Sequence, residues 1–452
     1  MKKLSLFILT GWVICFVAQG ARLTLTAELQ EEVIPAETAK EAMLKISVMT
    51  PELETESQTP RVNINLAVVL DKSGSMTTRG KLENAKEAAV TALRMLGEDD
   101  YFSLVTYDSQ ARTLIPARKA GDKAGIEKMI RAIQADGNTA LFAGVALGAN
   151  EIRKHRSEEY VNRMIVLSDG LANVGPCAPK ELGGFGASLI KEGISVSTIG
   201  VGGDYNEDLM TALSQASDGH FYFVENSHDL PLIFTQEMGA ALRVTAKALT
   251  IHIEFPDGVV PVGVLGRDCK VVDNKMAVYF NQVYGGHEKS LIIQVSVPPK
   301  KAAERIDLAS IRMSYQDAFS GENLTLTRTV SAVTSADIQV VEASYNQDVG
   351  RDVSLVNNAV MKQQAIEQAD QGNWDVAQKI LSESTRQLEE AAQKTGDQTL
   401  AAEVARNLAH EKEMAENQRR GSFDNRKVLK GESFQDLNGQ FYKQNKPLRK
   451  GK

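Results

Sequence analysis

An aspartate and two serines at alternate positions, Asp71-Lys72-Ser73-Gly74-Ser75, follow an apolar run over 64–70. A strand ending there sets one carboxylate and two hydroxyls on the turn beyond its C-terminal end, and such oxygens suit a hard cation. Two further segments offer oxygens at comparable places. Asp136-Gly137-Asn138-Thr139-Ala140-Leu141 precedes a helical stretch, and an apolar run over 164–167 ends in Ser168-Asp169-Gly170. Taken singly, each piece is equally a turn capping the next helix, a common role of Ser, Thr and Asp. Taken together, three separated segments make one constellation.

The set resembles the metal-ion-dependent adhesion site (MIDAS) of von Willebrand factor A-type (VWA) domains, as found in integrin I domains and many bacterial surface and secreted proteins. The resemblance covers roughly residues 60 to 243 and reaches Gly200-Val201-Gly202 at the end of a later strand. It implies that Asp71, Ser73, Ser75, Thr139 and Asp169 are the metal-site residues. Carboxylate and hydroxyl oxygens, with no Cys or His among them, suit Mg2+ or Mn2+ better than Zn2+ or Cu2+. Mg2+ is the expected ion, with Mn2+ as its alternative and Ca2+ ranked behind both. Because Mg2+ usually keeps some water, a position stays open. The resemblance implies that an Asp or Glu carboxylate of a partner protein fills it. It extends to bacterial proteins labelled calcium-activated chloride channel homologues, a label that implies no pore here, since lipid admits only helices or closed barrels.

The elements that must position these residues are legible as alternating runs. Apolar stretches at 63–70, 101–106, 164–167 and 196–201 read as strands, and 81–96, 140–153 and 230–242 carry apolar residues at helical spacing. Strands alternating with helices predict an α/β domain with a mostly parallel sheet, whose ligands bind beyond the strands' carboxyl ends. Strand-like runs also flank this domain, at 23–29 and 42–50 before it and at 248–255, 275–280, 290–297, 311–315 and 324–330 after it. The N-terminal pair is too small to bury a face alone. The economical reading is one β-sandwich built from both flanks, with the VWA domain inserted in it, similar to the integrin hybrid-domain arrangement. A sandwich formed only after residue 243, with a loose N-terminal hairpin, is the other.

The expected fold is therefore multi-domain, α/β plus β plus α: a signal peptide at 1–20, N-terminal sandwich strands at 21–60, a Rossmann-like VWA domain at 61–243, the β-sandwich at 244–345, a helical hairpin or tetratricopeptide-like segment at 350–417 and a basic, disordered tail at 418–452. The start, Met1-Lys2-Lys3 followed by an apolar run over 4–17 and Ala18-Gln19-Gly20-Ala21, has the three regions of a secretory signal. Its apolar stretch is short for a membrane span, and no later segment is long enough. The helical segment has Gly372-Asn373-Trp374-Asp375-Val376-Ala377 at a turn between two helices, and Trp374 is expected to pack within this segment or on the sandwich.

The formal charge is -7, which argues against nucleic acid as a general partner, although ten Lys or Arg against three Asp or Glu fall between Arg419 and Lys452. Export would permit a disulfide between Cys177 and Cys269. No G-x-S-x-G elbow, H-E-x-x-H pair or P-loop is present, so an enzyme has little material. The expected function is an exported, metal-dependent protein-binding module. The alternatives are a structural envelope scaffold with a structural ion and, behind it, a metal-dependent hydrolase. The last VWA helix, 230–242, leads into the next domain at Val244. Its position would couple site geometry to the interdomain angle, or hold that angle rigid.

Overall fold

The computed structural model describes residues 23–50, 61–420, 426–441 and 443–444, and the expected signal segment at 1–20 lies outside them. The first strands are β1 (Thr24–Leu29), β2 (Val33–Pro35) and β3 (Lys40–Met49). An α/β unit follows, made of β4 (Asn63–Asp71), α1 (Lys81–Met95), β5 (Tyr101–Tyr107), β6 (Ala111–Lys119), α2 (Lys123–Arg131), α3 (Leu141–Arg153), β7 (Tyr160–Ser168), α4 (Pro179–Lys191), β8 (Ile194–Val201), α5 (Glu207–Ala216), β9 (Phe221–Val224) and α6 (Leu230–Ala241). Its strands run in the order β6-β5-β4-β7-β8-β9, all parallel except the edge strand β6. A parallel sheet is covered on both faces, and its strands read as near-continuous apolar runs. Along β4, Ile64, Leu66, Val68 and Leu70 join a core with Leu93 of α1 and Phe234 of α6. Ala67 and Val69 point the other way, into a core with Val145 of α3 and Leu213 of α5.

The strands after this unit are β10 (Val244–Glu254), β11 (Val260–Val264), β12 (Val271–Val272), β13 (Lys275–Tyr284), β14 (His287–Val297), β15 (Arg305–Asp317) and β16 (Asn323–Ser335). They form two sheets, one in the order β1-β3-β14-β11 and the other β12-β13-β10-β15-β16-β2. β3 pairs antiparallel with β14, and β2 pairs parallel with β16. Segments on both sides of the α/β unit thus complete the same sheets. The sheets share one hydrophobic core, which contains Leu44 and Ile46 of β3 together with Ile251 of β10 and Ile311 of β15.

The remaining chain is helical: α7 (Ile338–Ala343), α8 (Gln347–Asp370), α9 (Trp374–Thr395), α10 (Gln398–Arg420) and α11 (Arg426–Phe441), with a short strand β17 (Lys443–Gln444) on β14. Trp374 opens α9 and packs, partly buried, against Ala365, Ile366 and Ala369 of α8. The basic composition after residue 418 predicted a disordered tail, and this is corrected: residues 426–441 form α11. Leu429, Ser433, Phe434 and Leu437 share one buried face, and the Phe434 ring stands edge-on to Phe221, 5.6 Å away. The cations face acids. Arg426 bonds Asp370 at 2.5 Å and Asp208 at 3.1 Å, and Lys427 bonds Glu207 at 3.1 Å. Burial would raise the Glu207 carboxyl, but backbone hydrogen bonding and the Lys427 and Arg426 charges hold it below the usual range. Composition concealed the helix because its charges are matched by acids distant in sequence.

The α/β unit meets the two-sheet domain through a buried ionic cluster. Arg163, near the start of β7, donates to Glu237 of α6 at 2.6 Å and to the Tyr284 hydroxyl of β13 at 2.8 Å. Tyr222 Oη donates to the other Glu237 oxygen at 2.6 Å, where His220 Nδ1 also lies at 2.6 Å. Burial would raise Glu237, yet the charges of Arg163 and His220 outweigh it and hold the carboxyl well below its ordinary value. His220 therefore has the structural role usual for a lone histidine.

The Cys177–Cys269 bridge that export would permit is not formed, since both thiols are free. Cys177 is exposed ahead of α4, whereas Cys269 packs against the core of the two-sheet domain. Each is held by its own unit. Burial pushes the Cys269 thiol up, against the pull of Arg267.

Candidate metal centre

Three loops at the C-terminal edge of the parallel sheet converge. β4 ends in Asp71, which is fully buried. Its Oδ1 accepts the Ser73 backbone N–H at 2.8 Å and its Oδ2 accepts the Ser168 hydroxyl at 2.8 Å, which fixes the carboxylate's rotamer. The loop after β4 is tied to the segment before α3: Gly74 N–H donates to Gly137 O at 3.0 Å and Asp136 N–H to Lys72 O at 2.8 Å. Those bonds bring Thr139 to the first turn. Thr139 is fixed in turn by Asn173, whose Oδ1 accepts the Thr139 N–H at 3.0 Å and whose own N–H donates to Thr139 O at 3.2 Å. The third loop follows β7, and Asp169 is fully buried there.

The side-chain oxygens form one connected group. Ser73 Oγ lies 3.0 Å from Ser75 Oγ, and Ser75 Oγ donates to Asp169 Oδ1 at 2.6 Å. Gly170 supplies the space beside them. A Cβ placed on it would lie 3.0 Å from Thr139 Oγ1, 3.4 Å from Ser75 Oγ and 3.8 Å from Ser73 Oγ, so hydroxyls from two separate loops face one small concavity. All five residues expected from the sequence are thus placed in this neighbourhood.

Two features were not foreseen. Lys81, the first residue of α1, places Nζ 2.6 Å from Asp169 Oδ2, with its side chain almost wholly buried. Only its position a few residues after the D-x-S-x-S turn, at a helix start, could have drawn attention to it. Ser168 was read simply as one more oxygen in its turn, but its hydroxyl serves Asp71.

Electrostatics at the cluster are dominated by burial. Desolvation pushes Asp71 up to about 6, against the hydrogen bonds of Ser73 and Ser168, and the neighbouring Asp169 pushes in the same direction as burial. Two buried carboxylates close together need a compensating positive charge. Lys81 supplies one unit of it. The donor set, two carboxylates and three hydroxyls around a concavity, fits a hard divalent cation. Among the described residues no group of three or more His, Cys, Asp or Glu converges, so the cluster rests on two carboxylates and on hydroxyls.

Residues 65–236 match the von Willebrand factor type A domain. The chain is 27% identical over 229 residues to the Escherichia coli protein YfbK, a match that covers 50% of this chain and 39% of that protein. It is 27% identical over 302 residues to the Synechocystis protein sll0103, covering 63% of this chain and 70% of that protein. The chain thus spans well under half the length of the first of these relatives. Among solved structures, a von Willebrand factor type A protein from Catenulispora acidiphila superposes with a TM-score of 0.67 at 17% identity, over 84% of this chain and 89% of that one. That likeness concerns the fold.

Proposed function

For a chain that carries a von Willebrand factor type A domain, we propose that the cluster beyond β4 and β7 is a metal-ion-dependent adhesion site holding Mg2+ or Mn2+, and that the exported chain uses it to bind a partner protein. The observation that carries this reading is the concavity at Gly170, onto which Thr139, Ser75 and Ser73 turn their hydroxyls beside two buried carboxylates. Bound there, the cation would supply an electrophilic centre open to an Asp or Glu side chain of the partner. The protein's own residues prepare the place. Ser168 and the Ser73 N–H orient Asp71, Asn173 fixes the Thr139 backbone, and Ser75 and Lys81 hold the two oxygens of Asp169.

One contact favours a second reading. Lys81 already pairs with Asp169 and leaves less charge for an ion to offer a partner, which suits a structural ion in a chain that works as an envelope scaffold. Calorimetric titration of Mn2+ and Mg2+ into the full chain and its Asp71→Ala variant, paired with a pull-down with and without chelator, separates the two. The adhesion reading expects saturable binding that Asp71→Ala abolishes. It further expects a pull-down from envelope proteins to retain a partner with the ion and lose it with chelator. Ion binding with capture unaffected by chelator would favour the scaffold, and no heat of binding would count against both.

A further inference from the structure

The outer edge of β13 is only partly occupied. On its inner side β13 pairs with β10 from Val244↔Tyr284 to Glu254↔Lys275. On its outer side β12 pairs with it only at Val271↔Met276 and Val272↔Lys275. Beyond Met276 no strand continues that ladder among the described residues. Single side chains take its place: Arg267 donates to Tyr279 O at 3.1 Å, and the Asn281 N–H donates to Asp218 at 2.7 Å. Backbone direction alternates along a strand, so Ala277 turns its N–H and C=O to this same side.

This edge faces a groove of about 1400 Å³ between the two-sheet domain and α4 of the α/β unit. The volume exceeds the roughly 300–1,000 Å³ of a small-molecule pocket. On the α4 wall Lys180, Gly184, Ala187 and Lys191 recur at helical spacing and are exposed, giving a low middle flanked by two ammonium groups. On the opposite wall Val272 is 63% exposed. The lining is basic in a chain of net charge -7: Lys180, Lys191, Arg267, Lys270 and Lys275 stand against Asp268. Among the described residues Lys180, Lys191 and Lys270 have no ion-pair partner. A strand edge beside a helix is a common seat for an added strand, whose backbone bonds give affinity and whose alternate side chains give specificity.

We propose that this groove takes an extended acidic segment of a partner protein, which adds to β13 as a further strand. Its backbone pairs with Ala277 and displaces Arg267 from Tyr279 O. One row of its side chains lies over Gly184 and Ala187, and its carboxylates meet the lysines at either end. From Lys180 to Lys191, α4 rises about 16 Å, the length of about five extended residues. The same charges would repel the basic edge of a second copy, so the occupant is an acidic segment and not a self-pairing strand. This surface is separate from the candidate metal centre and requires no cation.

The test uses the full chain and a fluorescein-labelled octapeptide of alternating Glu and Val, read by fluorescence polarisation. The comparison probes are a Lys/Val octapeptide and a Glu/Val octapeptide interrupted by proline. The expected result is saturable binding of the Glu/Val peptide at least tenfold tighter than either comparison. It should weaken at least tenfold in Ala187→Trp, which fills the groove, and in Lys180→Glu/Lys191→Glu, which reverses its charge. Both variants alter exposed helix positions and should melt like wild type. Chelator and Asp71→Ala should leave this binding unchanged, which separates it from the metal reading. The proposal is overturned if no saturable binding occurs, if the Lys/Val peptide binds equally, or if both variants bind as wild type. It is also overturned if sedimentation shows a dimer that Ala187→Trp dissolves.

Discussion

Adding one methyl group to Gly170 tests whether the concavity is the seat of a cation. In Gly170→Ala the new Cβ would stand 3.0 Å from Thr139 Oγ1 and 3.4 Å from Ser75 Oγ. Carbon–oxygen contacts ordinarily fall at about 3.3–3.6 Å, so the Thr139 hydroxyl must yield by a few tenths of an ångström. Overpacking a core costs about 1–3 kcal/mol. Here the crowded atoms are hydroxyls at the mouth of a site, and the low end, about 1 kcal/mol, is expected. In a domain of this size that lowers Tm by about 2–4 °C.

The effect on cation binding should be larger. Mg2+ holds its ligands at about 2.0–2.1 Å in a near-ideal octahedron, and a hydroxyl moved by a few tenths of an ångström no longer meets that demand. A loss of at least about tenfold, about 1.4 kcal/mol, follows. Gly203→Ala is the control, because nothing lies within 4 Å of a Cβ built there. Calorimetric Mn2+ titrations of wild type, Gly170→Ala and Gly203→Ala read the comparison directly. Wild-type affinity in Gly170→Ala, with Asp71→Ala abolishing binding, would place the cation outside the concavity and refute the reasoning.

Two further outcomes follow from buried charge. Lys81→Met should destabilise the cation-free chain by about 3–5 kcal/mol, because Asp169 is left buried without its ammonium. Adding Mn2+ should restore most of the loss, so the Mn2+-induced rise in Tm will exceed that of wild type; an equal rise would show that the two positive charges do not substitute for one another. Asp436 on α11 is pushed up to about 6, first by burial and then by Glu403 and Glu432, against the pull of Lys362 and Arg406. Its folded value lies above its unfolded 3.8, so the ionised form burdens the fold above pH 6 and the burden is relieved as pH falls from 6 to 3.8. With a quarter of the side chain reaching solvent, Asp436→Asn should stabilise by about 1–2 kcal/mol at pH 7, and the gain should vanish below 3.8 in thermal melts across that range. A gain that persists at low pH would argue against relief of charge.

Much of the candidate site was legible because Asp71, Ser73, Ser75 and Asp169 lie in short strings just after apolar runs, and Thr139 lies just before a helix. Asp71 directly, and Asp169 after Ser168, follow apolar runs of the kind a doubly covered strand carries. What escaped is what depends on tertiary placement. The edge strand β6 is half exposed, and its polar residues gave no apolar run. Helix α11 looked like a solvated tail, because Arg426 and Lys427 find Glu207 only after folding. Lys81 reads as an ordinary first-turn lysine until the fold brings Asp169, 88 positions later, against it.

The buried joint at the other edge of the α/β sheet bears on the two expectations for α6. A sliding α6 must carry Glu237 away from Arg163, Tyr222 and His220. Separating a buried ion pair costs about 3–5 kcal/mol, whereas coupling between distant sites is typically about 1–3 kcal/mol. The joint therefore opposes such a slide, and the expected outcome is that α6 holds the interdomain angle fixed. Glu237→Gln tests this, because it loosens the joint without touching the Gly170 concavity. The expected result is a stability loss of about 3–5 kcal/mol in denaturant unfolding with Mn2+ affinity unchanged within about twofold. Tyr284→Phe, which removes only the cross-domain hydroxyl that accepts from Arg163, should give a smaller loss and the same affinity. A tenfold change in affinity in either folded variant would show that α6 transmits between the joint and the site, because neither substitution alters a residue of the cluster around Asp71.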